Sequence, residues 1–287
     1  MEVFGSEIGL HTCRHTHEIE MHLCRCRAEF SDPSCKFMKR SLILFIHVAL
    51  ASLAAAADFA TLVEKGDVHD KKYQTAEALT FYLPAEKLKP DQPELLVKIA
   101  RQYAFRMSEL KTKEEKIKSG RTALQYAERA VALAPHRCDP HLSIAICWGK
   151  LTPLLGNKEK VAASRQIKVS AERAVKLDPG NDYAWHLLGR WHQALANMGV
   201  ATRALAKLIY GELPAASNDE AIACFKKAMR INPKRLVHVV ELGRTYAMIG
   251  QEELARKWIR QGLSMPNLEK DDPETKLRGK ATLDELS

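Results

Sequence analysis

The chain of 287 residues lacks most of the sequence marks on which common enzyme classes rest. It contains no HExxH, no GxSxG, no glycine-rich phosphate loop and no CxxC pair, so zinc-protease, serine-hydrolase, nucleotide and thiol-redox motifs are absent. Cysteine is scarce outside the first 37 residues, which hold Cys13, Cys24, Cys26 and Cys35. The remainder, Cys138, Cys147 and Cys224, is too scattered for a disulfide framework, and the last two fall at helical packing positions as small hydrophobes. Strand-like alternation of apolar and polar residues is missing throughout, which excludes the sheet classes. No basic run is interleaved with aromatics, so the net charge of +9 has no nucleic-acid motif to attach to, and no nucleic-acid partner is expected. Lys and Arg balance Asp and Glu over residues 1–57, so the excess lies in 58–287, a diffuse basicity suited to an acidic protein or anionic lipid.

What is present is a repeat. Leu236–Glu269 is 34 residues long, and numbered from 1 it places Leu242–Gly243 at 7 and 8, Tyr246 at 11, Ala255 at 20 and Gly262 at 27. Small residues at 8 and 20 let two antiparallel helices approach, the ring at 11 fills the space beside them, and Gly250 suits the positive φ of the turn between them. This is the tetratricopeptide-repeat pattern. Pro90, Pro135, Pro179 and Pro233 close four earlier second helices, with Ala85, Ala130, Ala174 and Ala228 as their small contact residues. Five units follow, at 59–92, 93–137, 138–181, 182–235 and 236–269, the middle three enlarged by 11, 10 and 20 residues. The first enlargement, around Met107–Lys118, should lengthen both helices, and the second should give one long helix over Lys158–Leu177. The third adds a helical segment, Val200–Tyr210, before a capping box at Ser217-x-x-Glu220. Pro84 should kink or shorten its helix. The fold class is therefore all-α, a right-handed solenoid of about five helix pairs over 58–270, with 271–287 a polar tail or capping helix.

Upstream, Met38-Lys39-Arg40 precedes the apolar Leu42–Leu53 and the small-residue site Ala55-x-Ala57. With translation starting at Met38, residues 38–57 read as a signal peptide and 1–37 as a non-native or disordered extension. The protein is then exported, to a periplasm or outside the cell; a signal anchor or organellar presequence, leaving it cytoplasmic or mitochondria-associated, is the alternative. The apolar run Leu42–Ala57 is short of the roughly 20 residues of a membrane span. His11, Cys13, His15, His17, His22, Cys24, Cys26 and Cys35 match no tetrahedral metal spacing, so no metal site is expected, and no cofactor is implied.

No catalytic group pairs with another: His186 and His192 are six apart on one helix, which places them on different faces. The chain reads as a non-enzymatic binding protein. Its concave face is formed by positions 2, 5, 9 and 12 of each first helix. Position 9 holds Arg101, Arg190 and Arg244, and position 5 holds Val97, Leu142, His186 and Val240. These arginines either pair with neighbouring acids on a solvated face or clamp a carboxylate or phosphate while the apolar residues take the rest of the ligand. The expected partner is a protein or an acidic, apolar peptide, the alternative an anionic or lipid-like amphiphile.

The stretch Trp185-His186-Leu187-Leu188-Gly189-Arg190-Trp191, and the order Ala206–Lys207, Tyr210–Gly211, Leu213–Pro214, Glu220–Ala221 between Arg203 and Phe225, resemble the regulator of microtubule dynamics family. The resemblance covers residues 59–270, most closely from Lys168 onward. It implies a helical solenoid without enzymatic activity; animal members are associated with microtubules and mitochondria, and one with lipid transfer. The export segment departs from that pattern, since an exported protein meets no microtubules.

Overall fold

Each repeat begins with a helix whose apolar stripe is too narrow to be buried alone, and the chain answers by stacking pairs. In the computed structural model, which describes residues 58–211 and 215–286, the first helices are α1 (58–70), α3 (Pro93–Glu109), α5 (Cys138–Leu151), α7 (Asp182–Ala196) and α10 (Leu236–Met248). Their second helices are α2 (Thr75–Leu88), α4 (Lys113–Leu133), α6 (Asn157–Leu177), α9 (Asn218–Ile231) and α11 (Glu252–Ser264). Two helices stand outside the pairs: α8 (Val200–Tyr210) and α12 (Asp272–Glu285). No strand occurs among the described residues. The proposed leader and the His/Cys-rich N-terminus lie outside them.

The pairs close on small residues. Ala78, Ala85, Ala127, Ala130, Ala171, Ala174, Ala221, Ala228 and Ala255 are all fully buried on second helices. A Cβ added at Gly243 would stand 2.8 Å from the Ile259 backbone nitrogen and 3.1 Å from the Ala255 carbonyl. Backbone cannot move aside as a side-chain tip can, so α10 and α11 depend on glycine there. The turn after α10 has Gly250 at φ 73°, which relieves the Cβ clash of the left-handed conformation. Between small residues sit the large fillers, Tyr82, Leu96, Ile99, Phe225, Leu242 and Ile259, each 0% exposed. Burying such a side chain is worth about 1.5–3 kcal/mol.

The enlargements take the expected forms. α3 and α4 reach 17 and 21 residues, joined by a tight turn whose Thr112 and Glu115 form a reciprocal capping box (3.2 and 3.1 Å). α6 is one helix of 21 residues, and α8 occupies Val200–Tyr210. Of the capping box expected at Ser217-x-x-Glu220 one half is present, Ser217 accepting from the Glu220 amide at 3.1 Å at the start of α9. Pro84 does not end its helix: α2 runs through it to Leu88. Pro84 is exposed, so the Thr80 carbonyl it deprives of a partner can face water, and the burial of Tyr82 and Ala85 on either side carries the helix past it.

α12 packs on α10 and α11. Gly279 is buried, and its Cα lies where a Cβ would come within 3.1 Å of Val240 and 3.2 Å of Ile259. The last repeat is thus covered by the chain's own C-terminal helix.

Candidate functional site

The inner face of the solenoid divides in two. In one part, positions 2, 5 and 9 of the first helices converge on a cavity of about 530 Å³. Val97 and Arg101 of α3, Leu142 and Ile146 of α5, Tyr183 of α7 and Val237 of α10 line it. Its remaining wall is the segment Glu269–Asp272, with Thr275 at the start of α12. The size is that of a small-molecule site, and the apolar side chains face polar groups gathered at the rim.

Those rim groups are largely paired. Lys98 meets Asp67 at 2.5 Å, and Asp67 also accepts from the Tyr82 hydroxyl at 2.6 Å. Burial alone would push the Asp67 carboxyl up, but the Lys98 and Tyr82 hydrogen bonds outweigh it and hold it below the usual carboxylate range. Arg101 pairs with Asp70, whose other oxygen accepts from Gln102 at 2.7 Å. Arg235 bridges Asp182 (3.2 Å) and Glu269 (3.0 Å), and Lys150 meets Asp271 at 2.8 Å. Around Phe105 the cations gather: the ammonium groups of Lys150 and Lys270 lie 5.7 and 5.2 Å from its ring centre. Arg101, though paired, keeps half of its side chain exposed. At this end of the cavity an acidic group could find several cations beside an apolar floor.

Of the seven residues expected on the concave face, Val97, Arg101 and Leu142 come together here. The other four do not. Arg190 and Arg244 turn to Glu241, at 2.5 and 2.8 Å, and Arg278 of α12 approaches the same carboxylate at 3.5 Å. Glu241 is 0% exposed; burial would raise its pKa, but the three guanidinium charges win and keep it ionised. Val240 is fully buried under Gly262 and Gly279. His186 is 3% exposed, stacked on Tyr183 and 3.1 Å from the Nδ1 of His238. His238 in turn meets Asp182 at 2.9 Å. Burial holds both imidazoles below their ordinary pKa, so both are neutral. His238 then donates from Nε2 to Asp182 and accepts at Nδ1 from His186. Helical periodicity placed these four on the inner face, but α12 and the packing of α7 on α10 had already taken that face. Glu241 itself, a charge standing between the apolar Val240 and Leu242, was the available signal. Lys150, Phe105 and Lys270 were missed because they lie at the helix ends and beyond the last repeat.

Fold and inner face together define a tetratricopeptide-type helical solenoid. A thermophilic TPR protein of Thermus thermophilus superposes with a TM-score of 0.56 at 16% identity, over 78% of this chain and 98% of that one. The family model for regulator of microtubule dynamics protein 1-3 matches residues 62–287, and the chain belongs to that family. Regulator of microtubule dynamics protein 1 of Bos taurus is 29% identical over 224 residues, covering 77% of this chain and 70% of its own length. Regulator of microtubule dynamics protein 3 of Xenopus laevis is 26% identical over 204 residues, 70% of this chain and 44% of its own. Among the described residues no helix is long and apolar enough to cross a membrane, and no group of three or more ligating side chains could hold a metal ion.

Proposed function

We propose that the chain is a non-enzymatic binding protein that holds an amphiphile with an acidic head in the inner cavity. The observation that carries this reading is the cavity's two-part chemistry. Val97, Leu142, Ile146 and Val237 offer an apolar floor, and Arg101 and Lys150 stand at the end next to Phe105. A carboxylate or phosphate arriving there would compete with Asp70 and Asp271 for the same cations, so binding is salt-sensitive. The wall formed by Glu269–Asp272 favours a compact acyl chain over an extended peptide, which needs an open groove. Native mass spectrometry of the purified protein, followed by titration with dansyl-labelled undecanoic acid, tests the reading. Arg101→Gln with Lys150→Gln should weaken saturable binding about tenfold or more and flatten its salt dependence. Full binding by that variant sinks the assignment of the acidic head.

A protein-partner reading is carried by the family. The relatives are named as regulators of microtubule dynamics, and the excess positive charge of 58–287 suits an acidic lattice such as tubulin. Co-pelleting with polymerised tubulin tests it; no pelleting at low salt removes it. Export from a start at Met38 stays part of the proposal, and it conflicts with a microtubule role. N-terminal sequencing of the mature protein from its host decides between them.

A further inference from the structure

Between α11 and α12 the chain crosses from the last repeat back to the first. Residues 265–271 include no buried residue, yet they touch four separate parts of the solenoid. The Tyr73 hydroxyl, in the turn between α1 and α2, donates to the Leu268 carbonyl at 2.5 Å. Lys270 donates to Thr75 at 2.6 Å and pairs with Glu109 at the end of α3. Asp271 meets Lys150 of α5, and Glu269 meets Arg235 just before α10. Asp272, 2% exposed, holds the bend by accepting from the Leu268 and Glu269 amides at 2.8 Å each. Tyr73 is the only non-glycine residue at positive φ (56°) among those described, so the clasp begins at a backbone position that ordinary side chains avoid.

These contacts to the first repeat are polar, and Leu268 keeps half its surface in water. The helices on either side are anchored independently: α11 through Ala255, Ile259 and Gly262, α12 through Thr275 and Gly279. Releasing the segment uncovers the Lys270 stem lying over Phe105 and half of Leu268 but no fully buried residue, and leaves both helices in place, which puts its opening toward the low-stability end of the molecule. The same segment is a wall of the inner cavity.

The geometry points to residues 268–271 as a displaceable strap that clasps the first repeat to the last and gates passage of ligand into the inner cavity. The gate rests on the reading of that cavity as the binding site. Salt screens the ion pairs that hold the strap, so opening is salt-promoted, and ligand exchange follows opening.

Tyr73→Phe with Glu109→Gln, in the full chain, removes two anchors that do not line the cavity. Stopped-flow binding of dansyl-labelled undecanoic acid and amide hydrogen exchange are read on both proteins. Association and dissociation rates should both rise by about tenfold, the scale of a few rim contacts, association somewhat the more because Lys270, freed from Glu109, can meet the acidic head. Exchange over 267–271 should quicken while α10 and α11 keep their protection. If the double variant loses α10–α11 protection, Tyr73→Phe alone makes the same test. Equal probe rates in the two proteins overturn the gate and leave the cavity as the site. Faster probe entry without faster exchange in the strap also overturns it. No saturable binding to either protein removes the cavity reading, and the gate falls with it.

Discussion

Glu241 is the residue whose removal should be felt most. It is a buried carboxylate surrounded by Arg190, Arg244 and Arg278, and its ionisation neutralises charges drawn from three helices. Glu241→Gln leaves those guanidinium groups facing each other, and breaking such a buried network costs about 3–5 kcal/mol. The melting temperature should fall accordingly, and an unchanged melt would show that water already screens the cluster. The backbone contacts at Gly243 set a second test. Gly243→Ala should destabilise more than Gly189→Ala, since the Gly189 neighbours are the Phe225 ring (2.9 Å) and the Cys224 Cβ (3.1 Å) rather than main chain. Overpacking of this kind costs about 1–3 kcal/mol. At the histidine pair the sign follows from burial. His186 and His238 are neutral in the fold and titrate near pH 6.5 when unfolded, so the unfolded chain takes up protons first. Stability is complete above about pH 6.5 and declines as the pH falls below it. Melts between pH 7 and 5 should show that decline, and His186→Gln should reduce its slope by up to one proton. Glu241 and Asp182, whose pKa values are held low, add their own loss only below about pH 4.3 and 3.9.

Among the elements, α2 and α12 show how packing overrides local preference. Pro84 stands in the interior of α2, on its exposed side, where it costs the helix a hydrogen bond without disturbing the buried face. Pro84→Ala should therefore stabilise the first repeat, by about 1–3 kcal/mol; a lower melting temperature would mean the ring itself is packed. α12 is polar in sequence, and its buried positions are only Asp272, Thr275 and Gly279. It holds because a glycine lets it lie close on Val240 and Ile259 and because Arg278 completes the Glu241 cluster. α8 differs from both: Val200 and Leu208 are more than four-fifths exposed, while Ala206 is buried.

Among the described residues, neighbouring repeats supply most of each other's stability, and the strap joins the last repeat to the first. A chain ended at Ser264 should keep the helical content of α2–α6 by circular dichroism. It should lose hydrogen-exchange protection in α10 and α11, where Val240 and Ile259 become uncovered. Uniform loss of protection along the chain would instead mark the solenoid as a single cooperative unit.

Most of the architecture was legible because it is local. A helix pair needs small residues where two backbones meet and a glycine where the chain reverses, and Ala85, Ala130, Ala174, Ala228, Gly243 and Gly250 mark those places in the order of the chain. The inner face was legible as a period, and for Val97, Arg101 and Leu142 the period is also the place. What periodicity cannot contain is occupancy. Whether a face meets solvent, a ligand or another part of the same chain depends on contacts between residues far apart in sequence, such as Arg190 with Glu241 or Lys270 with Glu109. Each arginine has the same place in its repeat, yet Arg101 reaches the cavity and Arg244 is covered by α12. That difference comes from tertiary packing alone, because a helix lying on the last repeat replaces solvent there and leaves the earlier repeats open.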